Sequence, residues 1–207
     1  MTDYQKEKRT LLVILAVLVL AVMVWSGINP MFPRVWWVEI IPVFVIFAFL
    51  ASTVSFFRFS NWSYVLMAFW MLGHTIGAHY TFAHVPFDWV TSLIGAERNH
   101  FDRVGHFVIG FYAFPMAEWV TRRGYAKPVF AGFFSLFFIM ALAASYEIIE
   151  WQYAVIDGGD AGIEFLGSQG DVWDAQADML CDTQGAVTAL ILFYCVRPYR
   201  GRTGYRL

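Results

Sequence analysis

Asp174, Asp178 and Asp182 recur every four residues at the head of an apolar stretch, with Asp171 three residues ahead of them. On a helix, Asp171, Asp174, Asp178 and Asp182 fall at about 0°, −60°, −20° and +20°, so the four carboxylates share one face. Gly185 and Ala189 continue that face at about −40° and 0°. Charged groups inside a membrane span are costly. They usually face the bundle interior or a cavity, which makes them candidates for a functional site.

Two further pairs have the spacing of working groups. Asp102 and His106, at i and i+4, suit a carboxylate that orients an imidazole or joins it as a ligand. The competing reading is an interfacial helix-entry pair with Arg103 as a further partner. Glu147 and Glu150, at i and i+3, are like charges about 60° apart on one helical face. In a low dielectric they demand a shared proton, a cation or an arginine, unless Glu150 lies hydrated at the interface. The candidate catalytic residues are therefore Asp102, His106, Glu147, Glu150, Asp174, Asp178 and Asp182.

Candidate metal ligands are His106, Glu147, Glu150, Asp178 and Asp182, with His74 and His79. Mixed imidazole and carboxylate donors suit zinc or manganese, and a carboxylate-only subset suits magnesium. His74 and His79 lie five residues, or about 140°, apart, so an unbroken helix cannot offer both to one small ion. A satisfied core hydrogen bond is as good a reading of each. Gly73 and Gly77 either interrupt that helix or permit close packing. His84 and His100 fall in an outer loop, where solvation is the default. Glu118 with Arg122 at i+4 reads as an ordinary helix-end ion pair.

The elements that must hold these residues are membrane helices. Of 207 residues, 59% are apolar and only 14% charged, against roughly 25% charged in a soluble domain. Apolar runs predict six spans in one all-α bundle, at about 11–28, 36–57, 62–82, 102–120, 128–151 and 172–196. The whole chain, 1–207, reads as a single integral-membrane domain. Lys6, Lys8, Arg9, Arg58, Arg122, Arg123, Lys127, Arg197, Arg200, Arg202 and Arg206 fall on the side of the termini; Arg34, Arg98 and Arg103 fall on the other. The positive-inside rule then makes both termini cytoplasmic. With that topology, the ionisable ends of spans three to six converge on the non-cytoplasmic side. Asp102/His106, Glu147/Glu150 and the aspartate stripe form three walls of one site, with His74 or His79 as a fourth.

The formal charge of −2 gives no sign of nucleic acid as a partner. Cys181 and Cys195 lie about 21 Å apart along one predicted helix, beyond disulfide reach. No haem-attachment, phosphate-loop, zincin or nucleophile-elbow motif is present. Oligomeric state is not readable from the sequence.

On His100-x-Asp102-Arg103-x-x-His106, Tyr146-Glu147-x-x-Glu150-Trp151 and Gly170-Asp171-x-Trp173-Asp174-x-Gln176-x-Asp178-Met179-x-x-Asp182-x-x-Gly185-Ala186, the chain resembles the YjdF-like family of uncharacterised bacterial inner-membrane proteins. More distantly it is similar to the VanZ-like superfamily. There an Asp-Lys-x-x-His element matches Asp102-Arg103-x-x-His106, and an Asp-x-x-x-Asn-x-x-Gly element matches Asp178-x-x-x-Asp182-x-x-Gly185, with aspartate for asparagine. The resemblance implies an inner-membrane location and cell-envelope chemistry, and it supplies no reaction.

Three functions compete. The first is metal-dependent or acid/base chemistry on a lipid or lipid-linked envelope substrate at the non-cytoplasmic face. The second is an ion or proton-coupled transporter, although the cytoplasmic halves of the spans are nearly free of ionisable groups. The third is a non-catalytic envelope accessory protein with a sealed polar network, which charge balance should betray: the acids here outnumber their partners.

Overall fold

The computed structural model describes residues 3–200, with side chains from Thr10 onward except at Asp157. The side chains of Lys6, Lys8 and Arg9, and the tail residues Arg202 and Arg206, lie outside the described residues. The described chain is all-helical: α1 (Asp3–Ser26), α2 (Pro33–Thr53), α3 (Asn61–Tyr80), α4 (Asp88–Ile94), α5 (Phe101–Ile109), α6 (Ala113–Arg122), α7 (Pro128–Asp157), α8 (Gly159–Leu166) and α9 (Asp174–Val196). Among them α2, α7 as far as Ile156, and α9 are long and apolar enough to cross a membrane, and Thr10–Ser26 of α1 is a shorter apolar stretch. Val13, Val17, Val24, Phe44, Val45, Phe130, Phe137 and Ile191 point outward and exposed, which suits hydrocarbon as the solvent.

Local sequence sets most of the boundaries. Pro33 and Pro128 open α2 and α7 at the first-turn position where a missing N–H costs nothing. Ser60 caps α3, its hydroxyl accepting the Ser63 N–H. Gly158, at φ 62°, ends α7 and turns the chain into α8. That helix lies within the stretch expected as a loop, and α7 runs on to Asp157 beyond the expected end at 151. α2 stops at Thr53 rather than 57, where the Ser52 and Thr53 hydroxyls fold back onto the Phe49 carbonyl.

The fourth expected span, 102–120, is not one continuous α-helix. Between α5 and α6 it tightens into a 3₁₀ turn over Gly110–Tyr112. Pro115 explains the break, since it has no N–H for the Phe111 carbonyl and its ring crowds that carbonyl. The last expected span also starts later. α9 begins at Asp174, so Asp171 is neither on the helix nor its cap residue, which is Trp173.

Two apolar cores result. Val19 and Met23 of α1, Ile40 and Val43 of α2, and Met67 and Met71 of α3 build one, to which Val108 of α5 belongs. Phe114 and Ala117 of α6, Ala131 and Ile139 of α7, and Ala186, Ala189 and Phe193 of α9 build the other. α5 packs on both α3 and α9. Its polar face therefore lies along the seam between the two halves.

Candidate functional site

His106 leaves α5 just before a close crossing with α9. There Gly110 packs against the backbone of Asp182 to Ala186 of α9, and Gly185 packs against the carbonyl of Phe107. Small residues at such a crossing let two backbones approach closely. That closeness brings His106 Nδ1 to 3.1 Å from Asp182 Oδ2, with the aspartate only 1% exposed. When Asp182 is ionised it can only accept, which puts the proton on Nδ1; Nε2 faces the other way. Nε2 looks toward Asp102 Oδ1 at 3.7 Å and Glu147 Oε1 at 4.0 Å. Both separations exceed hydrogen-bond length. Glu147 Oε1 is buried and has no hydrogen-bond partner.

Asp178, one turn before Asp182, closes the same pocket. Single oxygen or nitrogen donors of Asp102, His106 and Asp178 lie within 4.8 Å of one another. Asp178 Oδ1 stands 2.7 Å from Arg103 Nε, yet neither atom makes an aligned hydrogen bond. The two attract as charges while their hydrogen-bonding capacity goes unused. Arg103 Nη2 donates to Asp174 Oδ1 at 2.7 Å and to Asp171 Oδ2 at 3.0 Å, and Arg98 donates to the same two aspartates. Asp174 is thus held between two guanidiniums, one of which, Arg103, it shares with Asp178. Partial burial, with Arg98 and Arg103 nearby, lowers His100, ahead of α5, from the ordinary histidine value.

The remaining expected residues divide. Glu150 is buried and feels the Asp102, Glu147 and Glu39 carboxylates. His79 does not join the acids: its Nδ1 lies 2.9 Å from the Ser26 carbonyl oxygen, and its ring rests on Trp25 with centroids 4.5 Å apart. His74 belongs to a neighbouring group that the spacing arguments missed. Its Nε2 donates to the Glu39 carbonyl at 2.9 Å and lies 3.2 Å from Glu39 Oε2, which also accepts the Tyr146 hydroxyl at 2.8 Å. The Tyr146 ring in turn meets that of His106 in a T-shaped arrangement, centroids 6.4 Å apart. Glu39 carried a usable signal, being the lone charged residue between Arg34 and Arg58.

Seven carboxylates, those of Glu39, Asp102, Glu147, Glu150, Asp174, Asp178 and Asp182, therefore gather along the seam. Among the described residues the guanidiniums in contact with them are those of Arg98 and Arg103, and the imidazoles those of His74 and His106. Even with both histidines protonated the acids are in excess. Protons or a cation must make up the difference.

A family model described as a predicted membrane protein, DUF2238, matches residues 11–198, a stretch that includes every residue of this pocket. The chain belongs to the DUF2238 family. It is 32% identical over 180 residues to the inner membrane protein YjdF of Escherichia coli K12, covering 84% of this chain and 86% of that relative. No solved structure matches it significantly. DUF2238 membership and the relative agree with the YjdF-like resemblance of the three motifs, whereas the VanZ-like likeness rests on its two short elements alone.

Proposed function

We propose that the chain is an inner-membrane protein of six spans with both termini in the cytoplasm, and that the seam pocket performs acid/base chemistry on a lipid or lipid-linked envelope substrate at the non-cytoplasmic face. The observation that carries the chemistry is the buried, unpartnered Oε1 of Glu147, 4.0 Å from a histidine nitrogen that Asp182 holds in orientation. A desolvated carboxyl beside a fixed imidazole is equipped to take a proton from an attacking hydroxyl or water and return it to a leaving group. Asp182 fixes the imidazole as a triad carboxylate does.

For the span count, α3 is 20 residues long, and α5 and α6 continue one another through the 3₁₀ turn, each stack being long enough for about 30 Å of hydrocarbon. The name of the relative, inner membrane protein YjdF, supports the inner membrane. Chemistry is favoured over transport because the ionisable cluster at the opposite end is closed. Glu118 is fully buried there and takes hydrogen bonds from Ser60, Ser63 and Arg122, while no Asp, Glu or His intervenes on α7 or α9.

The test is comparative mass spectrometry of envelope lipids from cells with the protein, without it, and with Glu147→Gln or His106→Gln at matched abundance. One lipid-linked species should accumulate both in the deletion and with either variant. An unchanged lipid profile in the deletion, or full complementation by both variants, removes the proposal.

A further inference from the structure

We infer that the seam pocket is a binding site for one divalent cation of the zinc or manganese class, held by His106 Nε2, Asp102 and Asp178, with Glu147 beside it as the acid/base group. The inference rests on the same pocket as the proposed chemistry and adds the ion. Three independent features point to it. The first is spacing. Donors each about 2.0–2.2 Å from a tetrahedral ion stand about 3.4 Å from one another. His106 Nε2 to Asp102 Oδ1, at 3.7 Å, is too long for a hydrogen bond and close to that distance, and the wider set of Asp102, His106 and Asp178 closes within 4.8 Å.

The second feature is unused capacity. The Glu147 side chain is 9% exposed, yet its Oε1 has no hydrogen-bond partner, and Asp178, 3% exposed, has at Oδ1 the Arg103 Nε at 2.7 Å without an aligned hydrogen bond. Buried carboxylate oxygens are normally satisfied, and the ones that are not call for an explanation such as an ion. Their location in the same pocket as Nε2 gives that explanation a place.

The third is the shell behind the ligands. A metal-bound histidine usually donates its other ring N–H to a carboxylate, which fixes the tautomer and raises ligand basicity. His106 Nδ1 is placed for that, 3.1 Å from Asp182 Oδ2. This assigns Asp182 a supporting role rather than a ligand role, and it leaves out His79, tied to Ser26, and His74, tied to Glu39. One imidazole among carboxylates selects a borderline transition ion over magnesium or calcium. The ion also supplies positive charge where carboxylates outnumber guanidiniums. Bound there, it brings Lewis-acid character beside Glu147.

The experiment uses the full chain in detergent, stripped with a chelator, desalted, and equilibrated separately with Zn²⁺, Mn²⁺ and Mg²⁺. Elemental analysis should return one zinc or manganese per chain with a rise in unfolding temperature, and Mg²⁺ should bind at least tenfold more weakly. Asp102→Asn and His106→Gln should each weaken binding tenfold or more, whereas Glu164→Gln, outside the pocket, should leave it unchanged. Because the first two substitutions risk misfolding, His106→Cys loaded with Co²⁺ provides a gain of signal: a thiolate-to-cobalt charge-transfer band that the wild type, with Cys181 and Cys195 in place, lacks. Substoichiometric zinc and manganese, or binding indifferent to Asp102 and His106 together with no new band, overturns the inference. If those results came with a lipid phenotype for Glu147→Gln, the ion would fall and the acid/base proposal would stand. The reverse pairing would leave a metal site without that chemistry.

Discussion

Gly110 and Gly185 interlock backbone to backbone, and the His106–Asp182 pair is anchored within a turn of that contact. A Cβ on Gly185 would lie 1.8 Å from the Phe107 carbonyl oxygen, and one on Gly110 would lie 2.4 Å from the Asp182 carbonyl oxygen. Neither neighbour can yield, because both are helix backbone. Gly185→Ala and Gly110→Ala should therefore each destabilise the protein by about 1–3 kcal/mol or more, as overpacking does. Gly73 is the contrast, with nothing within 4 Å of its would-be Cβ. Gly73→Ala should be neutral or stabilising by up to about 1 kcal/mol through helix propensity. Thermal unfolding in detergent measures all three, and equal effects at Gly73 and Gly185 would refute the packing argument.

Glu39 holds His74 and Tyr146 together from the middle of an apolar helix. Removing the carboxyl strands a buried hydroxyl and half of a histidine contact, each worth about 1–3 kcal/mol when left unsatisfied. Glu39→Ala should accordingly cost more than Glu39→Gln, whose amide oxygen still accepts the Tyr146 hydroxyl. A double-mutant cycle with Tyr146→Phe should show coupling, because Tyr146→Phe costs little once the carboxyl is gone. Additive losses would mean that the 2.8 Å contact contributes nothing.

The same residue shows where sequence reasoning reaches its limit. The aspartates of α9 declare themselves by four-residue spacing, and Asp102/His106 and Glu147/Glu150 by helical pairing, so the pocket's walls are legible from periodicity. Glu39 has no partner at i+3 or i+4. Its contacts come from His74 and Tyr146, 35 and 107 residues away, and only the tertiary fold joins them. His79 illustrates the converse, since nothing local distinguishes it from a ligand until the Ser26 carbonyl is seen against it. The break before α6 was written in Pro115, but an apolar run outweighs one proline when spans are sought by hydropathy. Asp171 falls on the aspartate face by arithmetic alone; the helix starts at Asp174, and Asp171 instead folds back onto the Trp173 amide.

That fold-back makes Asp171 a pH-dependent brace on the outer loop. Its Oδ1 accepts the Trp173 N–H at 2.9 Å and its Oδ2 meets Arg103 at 3.0 Å. The Trp173 amide, and behind it the Arg103 guanidinium, hold its carboxyl below the ordinary aspartate value. A depressed folded-state value contributes stability that is complete above the unfolded value, near pH 4, and is lost as pH falls through the folded value. Asp171→Asn should thus lower the unfolding temperature at pH 7, and the gap to wild type should close below about pH 4. A gap constant from pH 7 to pH 3 would show that the charge is irrelevant.

Glu118 ties the connections at the other end of the bundle together, and this makes the proposed topology open to a direct check. Its carboxylate accepts the Ser60 N–H at 2.9 Å and the Ser60 hydroxyl at 2.8 Å, while Arg122 donates both to Glu118 and, at 2.8 Å, to the Arg58 carbonyl. The Arg58 and Arg122 turns therefore share one end, whereas Arg98 joins Asp171 and Asp174 at the end where α9 begins. The proposed topology puts the first pair in the cytoplasm, as the positive-inside rule expects. With Cys181 and Cys195 replaced, a cysteine at Ala126 should react with an impermeant maleimide only after the cells are opened, and one at Ser168 should react in intact cells. Glu118→Ala, by removing the buried acceptor shared by Ser60, Ser63 and Arg122, should cost about 3 kcal/mol without changing that labelling pattern. Labelling of Ala126→Cys from outside would invert the topology and move the seam pocket to the cytoplasmic face. An envelope substrate on the far side would then be out of its reach.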